Sequence, residues 1–440
     1  MLSSRLPKDL SPSPFFAELE RVKASAKKDA AEGGLSFIDM TVSSPVKAGL
    51  PIDLDDAVET ARKDFGCWNP DASGWMSARE TVVEYYRERG GNFTAGQILL
   101  TASTSEAYSV LFKTFCDPGD VILTPMPGYP LLDTLAQLEH LECAPYFLKF
   151  AKMKNTSLRA QSAKQSSFRF VLDSDSLLAA PEKAKILLLV SPHNPTGHCV
   201  SREEWNEAVR FCEENNLILV VDEVFGDYGF SNKVRRSWEY VLGESSSTKR
   251  SAGGDPYISR CSCDFFDAGE GDLINLPEDG PKCPIFWLNG LSKAVGSPQL
   301  KLGWMAFYAP REKFEEIRAA LEFVEDAYLS VSAPAQALGM SLLPMAAAYE
   351  TQVRERLLAN WQTLREAFPA KYCPEVLGGW YAVVRLGEDD EELTLRLLQE
   401  KHVLVQPGFF FDFDEDGWVV ISLLQEPAQF KEAVQRMQSL

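Results

Sequence analysis

Residues 186–197 have the sequence Ile-Leu-Leu-Leu-Val-Ser-Pro-His-Asn-Pro-Thr-Gly, an apolar run that ends in a polar, proline-containing turn. A run that is apolar at every position is typical of a strand in a parallel sheet covered by helices on both faces. A second such run, Leu217–Asp222, follows a helical segment that opens with the capping box Ser201-Arg-Glu-Glu204. This succession of strand, helix and strand predicts an α/β domain.

The same alternation continues in both directions along the chain. Further strands are predicted at Gln97–Thr101, Val121–Thr124, Ile285–Asn289 and Leu302–Tyr308. Most of these runs are short and rich in apolar residues, and helical periodicity separates several of them. The pattern therefore extends the α/β region from about residue 95 to 308.

The flanks of this region have a different character. Residues 11–32 form one predicted amphipathic helix, and the part after about residue 331 mixes long helices with a few strands. We predict a large domain over 56–330, with an N-terminal arm and part of a smaller α+β domain over 1–55 and the rest of it over 331–440. The polar, glycine-rich stretch 243–282 is predicted to be a surface insertion.

The composition argues against several classes of protein. The chain has 440 residues and a formal net charge of −19, which disfavours a nucleic-acid partner and an anionic membrane surface. No run is long enough to cross a bilayer and residues 1–14 lack the apolar core of a signal peptide, so a cytoplasmic location is expected. The nine cysteines are too sparse for a disulfide scaffold and predict reduced thiols. Cys261 and Cys263 have no second close pair, so no metal site is predicted.

Four polar patterns follow predicted strands, at the edge where α/β sheets bind ligands. Thr101-Ala-Ser-Thr-Ser105 opens a helix, where backbone N–H groups can hold a phosphate or where a hydroxyl simply caps the helix. Tyr129 lies in a proline-rich turn, from which it could cover an aromatic ring or pack as an ordinary turn residue. Asn194 and Asp222 could bind a phenolic oxygen and a pyridinium nitrogen, although Asp222 could equally be a cap. Lys293 follows apolar neighbours, which lower an amine's pKa and suit Schiff-base chemistry.

Together these pieces resemble the class I and II aminotransferases, fold-type-I enzymes that depend on pyridoxal phosphate (PLP). The likeness rests on Pro127-Gly-Tyr-Pro130, the stretch 191–197, Asp222-Glu-Val224, and Leu291-Ser-Lys293 with Gly303-Trp304. It spans roughly residues 35–430. The resemblance implies the PLP-dependent transferase fold with a mostly parallel sheet of the seven-stranded type. It also implies small amino-acid and oxo-acid substrates and a homodimer with shared active sites.

The resemblance further implies roles for individual residues. Lys293 would hold the cofactor as a Schiff base and then move a proton between substrate and cofactor. Asp222 would pair with the pyridine nitrogen and keep the ring an electron sink. Asn194 would contact the ring's 3′ oxygen, and Tyr129 would stack on the ring face. The other expected cofactor contacts are Ser103, Thr104, Ser105, Phe225, Gly290, Ser292, Lys301 and Trp68.

At four positions the chain departs from the family's pattern. Phe225 stands where a tyrosine usually bonds the 3′ oxygen, and Lys301 where an arginine usually faces the phosphate. Trp68 replaces a tyrosine that reaches across the dimer. Val420 replaces the arginine that binds the substrate α-carboxylate, so another cation must substitute or the substrate lacks that group. Candidate substrate contacts are Ser44 and Arg385, with Lys47 and Arg79 as further candidate cations.

The function implied is transamination, in which an amino group passes from an amine donor to a 2-oxo acid or another carbonyl acceptor. Two alternatives stay open. One is PLP-dependent carbon–sulfur or other lyase chemistry, which the same fold supports. The other is a non-catalytic, PLP-binding regulatory protein, for which the changes at Val420 and Trp68 argue. The retained Lys293, Asp222 and Asn194 argue for a working enzyme, while the donor and the acceptor stay undefined.

Overall fold

The computed structural model describes residues 3–7, 10–11, 13–153, 167–231, 234–242, 280–387 and 389–440. The predicted insertion 243–282 lies outside the described residues except for its last three positions.

Strands and helices alternate through most of the described chain. The strands are β1 (Ile38–Asp39), β2 (Ile98–Thr101), β3 (Val121–Met126), β4 (Glu142–Lys152), β5 (Phe168–Leu172), β6 (Ala184–Val190), β7 (Ile218–Asp222), β8 (Ile285–Gly290), β9 (Gly303–Tyr308), β10 (Tyr381–Arg385), β11 (Val403–Leu404), β12 (Gln406–Pro407) and β13 (Trp418–Ser422). The α-helices are α1 (Pro14–Ala31), α2 (Asp55–Ala61), α3 (Met76–Arg87), α4 (Thr104–Phe115), α5 (Leu131–Leu138), α6 (Ser174–Leu177), α7 (Arg202–Asn215), α8 (Glu239–Leu242), α9 (Leu291–Ala294), α10 (Arg311–Asp326), α11 (Ala333–Leu342), α12 (Ala346–Ala367), α13 (Asp390–Lys401) and α14 (Pro427–Gln438). Short 3₁₀ helices occupy Arg62–Asp64, Ala95–Gln97, Gly226–Tyr228, Pro298–Leu300, Leu343–Met345 and Gly408–Phe411.

The largest sheet has eight strands in the order β2-β9-β8-β7-β6-β3-β4-β5. Strands β8, β7, β6, β3 and β4 pair in parallel, while β9 runs antiparallel to both β8 and β2. Strand β2 therefore runs in the same direction as the parallel strands, and six carboxyl ends lie at one edge of the sheet. The predicted mostly parallel α/β sheet is confirmed. It has one strand more than the seven-stranded type because β5 pairs antiparallel with the second half of β4.

The central strands carry apolar residues on both faces, as their sequence predicts. In β7, Leu219 and Val221 belong to one hydrophobic cluster and Val220 to another on the opposite face. Helix α7 covers the first of these faces and begins at the predicted capping box, in which Ser201 and Glu204 satisfy each other's backbone N–H groups. Burial on both faces explains why apolar and polar residues do not alternate in these runs.

The two ends of the chain meet in a second region. Strands β10, β13 and β12 form a small antiparallel sheet. The N-terminal strand β1 pairs in parallel with β11, so the segment around Ile38 lies beside Val403. Helix α1 begins at Pro14, where the Ser13 hydroxyl accepts a hydrogen bond from Phe16 N. The domain limits 1–55, 56–330 and 331–440 stay a prediction. None of the helices described here is both long and apolar enough to cross a membrane.

Candidate active site

Five of the predicted site segments meet at the carboxyl edge of the large sheet. Ser103 follows β2, Tyr129 follows β3, and Asn194 follows β6. Asp222 is the last residue of β7, and Lys293 lies in α9 directly after β8. Because these strands run in the same direction, their ends bring residues that are distant in sequence to a common edge.

The amine of Lys293 lies among aromatic side chains. Its Nζ is 4.7 Å from the ring centroid of Trp380 and 5.4 Å from that of Phe225. Burial lowers the pKa of Lys293 to about 8, and the negative charge of Asp222 opposes this shift. A lysine in this environment has a neutral, nucleophilic fraction near physiological pH that a solvated lysine lacks.

The carboxylate of Asp222 is held by two hydrogen bonds. Tyr108 Oη donates to Oδ2 over 2.7 Å, and the backbone N–H of Val224 donates to Oδ1 over 3.1 Å. Burial raises the pKa of Asp222, while the hydrogen bonds from Tyr108 and Val224 and the charge of Lys293 act in the opposite direction. The geometry therefore supports the charged form of a carboxylate that desolvation alone would neutralise.

The amide of Asn194 has an open hydrogen-bonding atom. Its Oδ1 is buried and has no partner within the described residues. The turn that carries it is rigid, because Gly197 accepts hydrogen bonds from Leu377 N at 2.9 Å and Gly378 N at 3.2 Å. Gly197 has φ +70°, and a Cβ there would lie 2.5 Å from Val376, so this position requires glycine. A fixed amide with an unpaired atom is suited to receive a ligand.

The start of α4 packs tightly against the start of β9. Ser103 caps the helix by accepting a hydrogen bond from Glu106 N over 3.2 Å, and the hydroxyl residues Thr104 and Ser105 follow it. A Cβ on Gly303 would lie 3.0 Å from the carbonyl carbon of Ser103 and 3.1 Å from Thr104 N. This close contact explains why position 303 is a glycine. It also places the segment that contains Lys301 next to the N-terminus of α4. Lys301 is exposed and has φ +54°.

Two backbone segments hold Trp380 against Lys293. Gly379 N donates to the Tyr228 carbonyl over 3.0 Å, and Gly378 forms an isolated antiparallel bridge with Gly229. The residues before β10 are also bound to the Gly197 carbonyl, which accepts hydrogen bonds from Leu377 N and Gly378 N. Tyr228 Oη in turn donates to the backbone carbonyl of Lys293 over 2.6 Å. The tryptophan and the lysine are therefore parts of one hydrogen-bonded unit.

The other predicted residues lie around this group. Ser292 directly precedes Lys293 in α9, and Gly290 is the N-cap residue of that helix. Tyr129 is 46% exposed and Trp68 is 83% exposed, so both side chains present surface to a ligand or a second chain. Ser44 is half-buried, and its neighbour Ser43 is hydrogen-bonded to Tyr381 of β10.

The predicted substrate cations are engaged elsewhere or exposed. Arg385 lies at the end of β10 remote from Tyr381, about 13 Å along the strand, and is ion-paired with Glu415. Arg79 is buried and bound to Asp71 and to the carbonyl of Gly74. Both guanidinium groups are thus engaged in local ion pairs, and their role as substrate contacts stays a prediction. Lys47 is exposed.

Comparison with known proteins defines the family. Residues 68–437 match the family model described as aminotransferase class I and II. The chain belongs to this family. Members of the aminotransferase class I and II family typically use pyridoxal phosphate, and the matched residues include every candidate at the sheet edge. The predicted resemblance is therefore confirmed.

Individual relatives of the chain are distant in sequence. The glutamate-pyruvate aminotransferase AlaA of Haemophilus influenzae is 22% identical over 423 residues, which cover 92% of this chain and 91% of that protein. The tyrosine aminotransferase of Mus musculus is 24% identical over 425 residues, 93% of this chain and 81% of its own length. The solved aspartate aminotransferase of Thermotoga maritima superposes with a TM-score of 0.71 at 19% identity, over 100% of this chain and 99% of that one. The likeness to the solved structure shows the fold, and the family rests on the match over residues 68–437.

Three residues of the site were not predicted from the sequence. Tyr108, Trp380 and Tyr228 contact Asp222 or Lys293, yet they lie 114, 87 and 65 positions away along the chain. No sequence signal assigned a role to the tryptophan of the Gly378-Gly-Trp-Tyr381 segment. Across the ranges that the structure covers, no three His, Cys, Asp or Glu side chains come together as a metal site.

Proposed function

We propose that this chain is a PLP-dependent aminotransferase that holds its cofactor covalently through Lys293 Nζ. The observation that carries the proposal is the pairing of a desolvated lysine with a buried, hydrogen-bonded aspartate at one sheet edge. Lys293 has its pKa lowered to about 8, and Asp222 is fixed by Tyr108 and Val224. The family match and relatives that are alanine and tyrosine aminotransferases support the same reaction type.

The residues present fit the cofactor. The unpartnered Oδ1 marks an open amide edge on Asn194, where a ring oxygen can bind, since the oxygen and nitrogen of an amide are assigned by their partners. Asp222 offers a carboxylate to a pyridinium N–H. Tyr129, with 46% of its surface exposed, is free to cover a ring face. Bound PLP would supply an electron sink that makes the α-proton of an amine substrate acidic.

Each residue of the site has a separate role in this proposal. Lys293 holds and releases the proton, because its pKa near 8 leaves both forms populated. Asp222 keeps a negative charge opposite the ring nitrogen, and Tyr108 stabilises that charge. Asn194 orients the ring. We propose that the N-terminus of α4, with Ser103, Thr104 and Ser105, binds the phosphate group with help from Lys301 and Ser292.

We also propose that the active form is a homodimer. Trp68 exposes 83% of its surface on a segment that is itself fixed, since Trp75 Nε1 donates to the Asn69 carbonyl over 3.1 Å. A large aromatic side chain that is exposed on a fixed segment is typical of a contact with another chain. Its indole N–H would take the place of the tyrosine hydroxyl that the family resemblance implies at this position.

The test of the proposal is a half-reaction with isolated protein. Purified, PLP-loaded protein is mixed with a panel of amino acids and amines, and the cofactor is then recovered by acid release and quantified. Transamination predicts stoichiometric conversion of PLP to pyridoxamine phosphate with one donor class, followed by reversal on adding a 2-oxo acid. Release of ammonia with unchanged PLP would instead identify an eliminating lyase. No reaction with any donor, in protein that binds PLP, would favour a regulatory role.

The lowered pKa of Lys293 predicts a pH dependence for cofactor capture. Only the neutral amine attacks, so the rate should rise about tenfold per pH unit below pH 8 and level off above it. A solvated lysine, with its pKa near 10.4, would give a rate that is still rising at pH 10. Stopped-flow absorbance of apo-protein mixed with PLP measures the rate. A profile without a plateau below pH 10 would contradict the desolvated site.

Tyr108→Phe should weaken cofactor binding in a pH-dependent way. Loss of the hydroxyl removes one of the contacts that keep Asp222 charged, so the pKa of Asp222 should rise further. We expect PLP to bind about 3- to 10-fold more weakly at pH 6.5, and the loss of affinity should be smaller at pH 8.5, because a higher pH favours the charged carboxylate. Titration of PLP into apo-protein measures both values.

Tyr308→Phe is the matched control for this substitution. Its hydroxyl donates to the Pro281 carbonyl over 2.9 Å, at the end of β9 remote from Gly303. The control should bind PLP as the unchanged chain does. An equal loss in both variants, or a deficit at Tyr108→Phe that does not depend on pH, would argue against a role for Tyr108 in the charge of Asp222.

A further inference from the structure

The aromatic surroundings of Lys293 include a buried hydrogen-bond donor for which the described residues offer no acceptor. Trp380 is 0% exposed, and its indole Nε1 has no hydrogen-bond partner within the described chain. A buried donor without an acceptor destabilises a protein, and a bound ligand that supplies the acceptor recovers that free energy. An orphaned donor beside a reactive amine therefore points to a ligand.

The position of the indole is fixed on three sides. Its ring lies 4.7 Å from Lys293 Nζ, 5.3 Å from the ring of Phe225 and 5.2 Å from that of Tyr228. The preceding residues, Gly378 and Gly379, are hydrogen-bonded to Gly197 and to the Tyr228 carbonyl. The indole ring that carries the donor is thus held beside the amine and is shielded from solvent.

We propose that Trp380 Nε1 donates a hydrogen bond to the ring oxygen of bound PLP, an inference that rests on the proposed function. The carbon that Lys293 attacks and the ring oxygen are attached to neighbouring ring carbons, so this oxygen lies next to Nζ. Phe225 carries no hydroxyl and cannot donate to it. A phenolic oxygen with negative charge accepts more than one hydrogen bond, which Asn194 and Trp380 together provide.

A second tryptophan provides a matched comparison. Trp238 is also 0% exposed, and its Nε1 also has no partner in the described part of the chain. Its ring packs against Tyr86 at 5.9 Å and Phe93 at 6.3 Å, within the core rather than beside Lys293. Replacing either tryptophan by phenylalanine removes an orphaned N–H and keeps an aromatic ring. Only the change at Trp380 should affect a ligand of Lys293.

The experiment measures the dissociation constants of PLP and of 3-deoxypyridoxal phosphate, which lacks the ring oxygen. Trp380→Phe should weaken PLP binding about tenfold and leave binding of the 3-deoxy analogue unchanged. Trp238→Phe should change neither constant. Adding Phe225→Tyr to Trp380→Phe should restore most of the lost affinity, because the new hydroxyl lies beside the same oxygen. Circular dichroism of each variant confirms that it is folded.

Several outcomes would overturn the proposal. Unchanged PLP binding in Trp380→Phe would do so, as would equal weakening of PLP and of the 3-deoxy analogue, since that pattern indicates altered packing. If Trp380→Phe does not fold, Trp380→His, which keeps a ring N–H, is compared with Trp380→Leu. The histidine variant must then bind PLP at least threefold more tightly than the leucine variant. Failure of the unchanged chain to bind PLP at all would instead refute the proposed function, and with it this inference.

Discussion

Lys293→Ala should lower the rate of amino-group transfer by at least about 10⁴-fold, because it removes both the covalent anchor and the group that moves the proton. The amine that is lost is the one whose pKa burial lowers to about 8. Steady-state assays with the donor found in the half-reaction measure the effect. Exogenous small amines should restore part of the rate, since they can replace the proton-transfer role.

Lys185→Ala is the control for this substitution. Lys185 is an exposed lysine of β6 at the end of the strand remote from Asn194, so its removal should leave the rate within about twofold. Retention of a tenth or more of the activity in Lys293→Ala would contradict the role assigned to the lysine.

Asp222→Asn should reduce kcat by about 10²–10³-fold with little effect on the fold. The substitution keeps the shape of the side chain and an acceptor for the Tyr108 hydroxyl, but it removes the charge opposite the ring nitrogen. Without that charge the ring nitrogen is no longer held in its protonated form, and the cofactor withdraws electrons less effectively. The rate of the half-reaction with the best donor measures the loss.

Glu223→Gln provides a control one residue further along the chain. Glu223 is also buried, but its carboxylate is bound by Ser237, and burial raises its pKa to about 7. A carboxyl with a pKa of about 7 is about half neutral at pH 7, and an amide oxygen can still accept both hydrogen bonds from Ser237, so this substitution should cost little. Equal losses in Asp222→Asn and Glu223→Gln would indicate a general effect of buried charge rather than pairing with the cofactor.

The central strands of the large sheet could be predicted from their own residues. The uniformly apolar runs at 186–190 and 217–221 predicted central parallel strands, and both lie in the middle of the sheet. The edge strand β5 and its neighbour β4 were missed. Strand β4 contains Pro145 and has a mixed pattern of exposed and buried residues, which hides its period.

The same distinction applies to the candidate site. Lys293, Asp222 and Asn194 are each marked by a local motif at a strand end, and the structure brings those strand ends to one edge. Tyr108 and Trp380 have no local signal, because their partners lie on other elements far along the chain. Arg385 is a different case, and its role as a substrate contact stays a prediction. Its positive charge made it a candidate, but only the structure shows its pairing with Glu415.

Reductive trapping directly identifies the lysine that holds the cofactor. Purified protein is incubated with PLP, reduced with borohydride, digested and analysed by mass spectrometry for peptides that carry a phosphopyridoxyl group. We expect one labelled lysine per chain, Lys293, and loss of the label in Lys293→Ala but not in Lys301→Ala. A label at another lysine, or no stoichiometric label on folded protein, would contradict the assignment of Lys293 as the residue that holds the cofactor.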